Sequence, residues 1–156
     1  MYYLKLIFRF TILPYTILLL YWMFLGFGRT QMEDHIVRLQ PVYSTSVFLY
    51  QKYLEQQYWV IATNLLGNIL MFIPFGFLGW VFPKLNDLKM LLAYFLTAIF
   101  VVEALQYFTR MGVCELDDIL LNTFGVWLGF KLKKFLEQKF NYPSLEKTES
   151  KSIKGF

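Results

Sequence analysis

Leu88–Phe108 reads LKMLLAYFLTAIFVVEALQYF, twenty-one residues with two charges, Lys89 at the start and Glu103 near the end. A helix of that length reaches about 31 Å at 1.5 Å per residue, which is the thickness of a bilayer's hydrocarbon core. Outward from this stretch, three others have the same character, at about 6–27, 59–82 and 116–136. The whole chain agrees: of 156 residues, 57% are apolar, 21% aromatic and only 17% charged. Soluble domains are nearer a quarter charged, so lipid is the solvent this composition suits. Disordered and disulfide-scaffold classes are excluded, the latter because Cys114 is the one cysteine. The sequence predicts an all-α integral membrane protein with four transmembrane helices. The first stretch is too long for a signal-peptide core and lacks a small-residue cleavage site, so it reads as a retained helix. Pro14 and Pro74 fall inside spans, where they are expected as kinks.

Lysine and arginine set the expected orientation. With the N-terminus inside, the inner segments carry Lys5, Arg9, Lys84, Lys89 and seven lysines from Lys131 to Lys154. The outer segments carry Arg29, Arg38, Lys52 and Arg110. Eleven against four places both termini in the cytoplasm. The formal net charge of +4 then divides into +7 inside and −3 outside. A basic chain can suggest nucleic acid, but here the basic residues mark topology and no nucleic-acid partner is expected. Between the first two spans, Val47, Tyr50, Leu54 and Tyr58 recur at helical intervals, predicting a short amphipathic helix at the outer interface. Residues 1–142 form one transmembrane domain in this reading. Residues 143–156 are a polar cytoplasmic tail, expected to be disordered.

The polar residues within the spans are more informative. Asn64 and Asn68 lie four apart in the second span. Glu103, Gln106 and Arg110 share one face of the third, and Asp117, Asp118 and Asn122 open the fourth. All eight gather toward the outer surface, while the inner halves read as apolar until the lysines begin. An acid at a helix centre costs roughly 2.5–3.5 kcal/mol on insertion scales. A purely structural role in fixing helix register needs fewer groups than these eight, three of them acids. Adjacent acids point about 100° apart, so one of Asp117 and Asp118 is expected inward and the other at the helix start. Asp118, on the Asn122 stripe, is the inward choice. Arg110 is expected to pair with Asp117 or Asp118 across the outer turn. Gly125 and Gly129 offer a smooth face for a neighbouring helix. His35 reads as solvated and alone, and Cys114 lacks a nearby histidine to activate it. No metal or other cofactor is implied.

Asn64–Trp80 (NLLGNILMFIPFGFLGW) and Glu103–Phe130 (EALQYFTRMGVCELDDILLNTFGVWLGF) resemble the VanZ-like family of bacterial membrane proteins. The matching positions are Asn64, Asn68, Phe72, Pro74, Gly76, Glu103, Gln106, Arg110, Asp117, Asp118, Asn122, Gly125 and Gly129. The resemblance implies a link to resistance against the glycopeptide antibiotic teicoplanin and a place in the bacterial cytoplasmic membrane.

The expected function is binding of a cell-envelope molecule in a polar pocket facing the outer leaflet. That molecule would be a lipid-linked wall precursor or a lipoglycopeptide, and membrane lipid is a further partner. Asn64, Asn68, Gln106, Asp117 and Asn122 would bind it, with Arg110 holding an anionic group. Glu103 would carry a proton if burial keeps it neutral. A second reading is an enzyme modifying an envelope lipid, with Glu103 and Asp118 as acid and base. A third is a non-catalytic assembly subunit, in a homo- or hetero-oligomer, with Gly125, Gly129 and the outer helix as interfaces.

Overall fold

The computed structural model describes residues 1–26, 31, 33–38 and 43–153, with the side chains at 38, 43–45, 48, 64 and 141–153 outside the description. Helix α1 is Tyr2–Leu25 and is followed by a two-residue strand β1, Val37–Arg38. Then come α2 (Tyr43–Leu54) and α3 (Tyr58–Phe72), which continues as a 3₁₀ segment, Ile73–Trp80. A second 3₁₀ segment, Pro83–Asn86, leads into α4 (Leu88–Thr109), β2 (Cys114–Glu115) and α5 (Leu116–Ile153). The chain is helical apart from the parallel pairing of β1 with β2, which sets Val37 opposite Cys114 and Arg38 opposite Glu115.

Among the described residues, three helices are long and apolar enough to cross a membrane: Tyr2–Leu25, Tyr58–Trp80 and Leu88–Thr109. Helix α5 is not among them, because Asp117 and Asp118 at one end and Lys131, Lys133 and Lys134 at the other charge the 116–136 stretch. Large side chains face outward along α1, including Tyr3, Phe10 and Leu13, and only Ile12 and Leu19 of that helix are buried. Such a surface is unstable in water and at rest in hydrocarbon. Helix hydroxyls behave accordingly. Thr11, Thr16, Thr63, Thr97, Thr109 and Thr123 each donate to the carbonyl four residues back, so none of these six hydroxyls is a bare donor toward lipid.

Pro14 sits inside α1, as expected. Pro74 does something different from kinking an α-helix: α3 stops at Phe72 and the chain changes to 3₁₀ geometry, with the proline in its first turn. Proline has no N–H to bond the carbonyl four residues back, and Gly76 and Gly79 weaken any preference to resume α geometry. A 3₁₀ helix rises about 2.0 Å per residue, so the segment is slimmer and longer than an α-helix of equal count. That slimness lets α5 approach. A Cβ on Gly76 would strike the backbone of Gly129 and Phe130; one on Gly129 would strike the Ile73 carbonyl, and one on Gly125 the Ile69 carbonyl. The glycine face of α5 is therefore covered by the chain's own backbone and is not an open surface for another subunit.

Phe72, Leu91, Phe95, Ile99, Ile119, Val126 and Phe130 form the core between α3, α4 and α5, joined by Leu19 of α1. Helix α4 starts at an N-cap, where the Asp87 carboxylate accepts from the Met90 N–H at 2.9 Å. It ends at Arg110 in the left-handed conformation, φ 57° and ψ 24°. Helix α2 stands four residues earlier than the expected amphipathic helix at 47–58, and its Tyr50, Tyr53 and Leu54 are exposed. Helix α5 runs on through Pro143 to Ile153, a stretch that composition alone assigns to a disordered tail.

Candidate functional site

Helices α3, α4 and α5 bring a set of buried polar side chains to one end of the bundle. Glu103 and Gln106, on one face of α4, are 2% and 5% exposed; Asp117 and Asn122 of α5 are 6% and 2%. Their burial follows from their spacing: Glu103 continues the Leu91, Phe95, Ile99 stripe that faces the core, and Gln106 extends it by a turn. Across from them, Asn68 Nδ2 of α3 donates to Asp118 Oδ1 at 2.8 Å. Asn122 Oδ1 is buried with no hydrogen-bond partner among the described residues, an acceptor whose desolvation is uncompensated. The Asn64 side chain lies outside the described residues.

Spacing puts Asp118 on the inward stripe, where it meets Asn68 of α3, but Asp117 is buried as well. Asp117 is the more deeply buried, while Asp118 is half-buried and held by Asn68. Gln106 turns toward α1, where Nε2 donates to the Met23 carbonyl at 3.0 Å. Arg110 is exposed, and Nη1 donates to the Glu33 carbonyl at 3.2 Å. That contact replaces the expected pairing with Asp117 or Asp118. Arg110 leaves the regular helix that carries Glu103 and Gln106 by taking the left-handed conformation at its C-cap.

Residues 31 and 33–38 cross the same end, which spacing arguments did not anticipate. Gln31 Nε2 donates to the Thr109 carbonyl at 3.2 Å, and the Cys114 N–H donates to the Ile36 carbonyl at 3.2 Å. His35 is not alone: its Nδ1 lies 2.8 Å from the Tyr107 carbonyl and its ring 4.8 Å from the Tyr107 ring. The Gln31 and His35 contacts engage carbonyls in the last turn of α4. Burial, and second the charge of Glu103, push the Cys114 thiol above its ordinary range. The thiol is therefore the wrong species for a nucleophile at neutral pH. Among the described residues, no three histidine, cysteine, aspartate or glutamate side chains group as metal ligands.

A second polar cluster lies at the opposite end, where the sequence reads as apolar up to the lysines. Lys133 is fully buried. Its Nζ donates to Asn86 Oδ1 at 2.6 Å and sits 4.7 Å from the Phe130 ring centroid. Asn86 Nδ2 in turn donates to the Gly79 carbonyl at 3.1 Å. Beside it, Trp80 Nε1 donates to Glu137 Oε1 at 2.8 Å, Lys5 Nζ approaches the same oxygen at 3.9 Å, and Arg9 Nε donates to the Trp80 carbonyl at 3.1 Å. Lys133 falls within about 20° of the Asn122 stripe three turns on, so its position carried a signal of burial that the topology count absorbed.

The chain is 29% identical over 84 residues to Protein VanZ of Enterococcus faecium, an alignment covering 54% of this chain and 52% of that protein. The chain thus spans about half the length of that curated relative. No solved structure matches. The VanZ/LLP1 family matches residues 2–137, nearly the whole chain. With Asn68, Glu103, Gln106, Asp118 and Asn122 at one end of an all-helical bundle, the chain belongs to the VanZ/LLP1 family.

Proposed function

We propose that this protein binds a cell-envelope molecule at the Asn68, Glu103, Gln106, Asp118 and Asn122 cluster, in the outer leaflet of the bacterial cytoplasmic membrane. In this reading α5 is a fourth crossing through residues 116–136, both termini are cytoplasmic, and α2 lies at the outer interface. The ligand is a lipid-linked wall precursor or a lipoglycopeptide such as teicoplanin, and the role is antibiotic resistance or envelope homeostasis. The observation that carries the proposal is the burial of Glu103, Gln106, Asp117 and Asn122 together, with Asn122 Oδ1 lacking a protein donor among the described residues. Burying several polar groups in one place costs more than register alone requires, and a ligand donor would complete Asn122. Asn64 is included by its place one turn before Asn68.

Arg110, exposed at the edge of the cluster, suits first contact with an anionic group such as a phosphate. Asn68 and Gln106 are already engaged, so they position Asp118 and α1 rather than wait for a ligand. Glu103 is the candidate proton carrier. The test is susceptibility to teicoplanin in cells producing wild type, Glu103→Gln or Arg110→Ala at equal membrane abundance. Both variants should lose the wild-type effect; unchanged susceptibility in both sinks the proposal.

A further inference from the structure

A cavity of about 390 Å³ opens between α1 and α4, floored by Phe72, Phe95 and Ile99. It runs along α4 from Leu91, beside Leu85, to Val102, beside Met23. Those twelve residues cover about 16 Å, so the cavity is long and narrow. Its lining is almost wholly apolar, which suits a hydrocarbon strand and leaves the hydroxyls of a sugar without partners. Thr16 lines it, but its hydroxyl is spent on the Ile12 carbonyl at 2.8 Å. The mouth, at Leu20, Tyr94 and Ala98, is exposed along the helix sides that face hydrocarbon.

One end is distinguished from the other. Met23, which lines the slot, offers its carbonyl to Gln106, and Val102 precedes Glu103. The slot therefore meets the buried polar cluster end-on. At the far end, Leu78, Leu85 and Leu91 line it with apolar side chains. A polar terminus at one end and an apolar lining at the other describe an amphiphile lying head to tail.

We infer that the slot holds one acyl chain of a membrane amphiphile, with the chain's polar end at Met23 and Gln106 and its methyl end at Leu85 and Leu91. With bonds of 1.52 Å at tetrahedral angles, about 13 carbon–carbon bonds fill the length. The inference rests on the reading of the polar cluster as the seat of the head group, and it names the ligand class as acylated. It also explains why α1, which buries little else, is held at this distance from α4 by the Gln106 contact.

The test uses the full chain in phosphatidylglycerol vesicles doped with a phosphatidylglycerol bearing a diazirine near the ester or near the methyl end of one chain. After photolysis, cross-linked peptides are mapped by mass spectrometry. The ester-proximal probe should label Met23 and Val102, and the methyl-proximal probe Leu85 and Leu91. Ala98→Phe, at the exposed mouth, should reduce both several-fold, whereas Ala93→Phe, exposed and outside the slot, should reduce neither. Labels in the reverse order, or spread evenly over the slot and exposed Phe10 and Phe100, overturn the inference. Ordered labelling together with unchanged susceptibility in Glu103→Gln and Arg110→Ala upholds the slot and removes the head-group reading. A phenotype in those variants with even labelling does the reverse.

Discussion

Lys133 and Asn86 form an asymmetric pair. The ammonium is buried and its neutral partner is partly in water. Removing Asn86 leaves a charge without its hydrogen bond, whereas removing the lysine leaves an amide that water can reach. Asn86→Ala should therefore cost roughly 1.5–3 kcal/mol, the range for hydrogen bonds to charged groups. Lys133→Met, similar in volume, should cost clearly less. In the Lys133→Met background, Asn86→Ala should be nearly silent. Thermal unfolding in detergent micelles measures all three, and equal costs for the two single variants would refute the asymmetry. Cys114 offers a second residue-level readout, because it is the one thiol in the chain. Its proton is held by burial first and by the Glu103 charge second. Both disfavour the thiolate, so alkylation by iodoacetamide should be slower than for a free thiol at the same pH. Glu103→Gln removes a negative neighbour, which lowers the pH at which the thiolate forms. The rate–pH profile should shift toward lower pH; an unmoved profile would mean that Glu103 bears no charge in the folded protein.

At the scale of elements, the contact of α5 with α3 and its 3₁₀ continuation depends on the absence of three side chains. A methyl group at Gly129 or Gly76 meets backbone, which cannot rotate away. Overpacking costs about 1–3 kcal/mol where neighbours can adjust, and here they adjust least. Gly129→Ala should lower the unfolding temperature and the membrane yield more than Gly67→Ala, where the added carbon meets only the flexible end of Met71 at 3.8 Å. Equal effects would argue against the close approach. The same seam shows what could be read beforehand and what could not. The glycine spacing and the Glu103, Gln106 face follow from a period of 3.6 residues, so they were legible. The change from α to 3₁₀ at Pro74 was not, since proline alone does not choose between kinking a helix and ending it. The β1–β2 pairing involves two residues a side and no periodicity. Lys133 escaped for a different reason: a lysine near a helix end satisfies the positive-inside pattern whether or not it is buried.

At the scale of the whole molecule, three of the four expected spans were the most legible feature, because lipid demands long apolar runs that soluble cores do not. Orientation rests on charge counting and can be tested directly. Cys114, beside the polar cluster, should react with a membrane-impermeant maleimide added to intact cells, given time to offset its held proton. Reaction only after lysis would invert the proposed topology. Between the two buried polar clusters stand Gly76, Gly125 and Gly129 in backbone contact, with Val126 fully enclosed beside them. No column of water fits through such a contact, so this seam offers no aqueous path between the Glu103 end and the Lys133 end. A chain sealed along this seam should not discharge an energised membrane. Vesicles containing it should hold an imposed pH gradient as long as empty vesicles do.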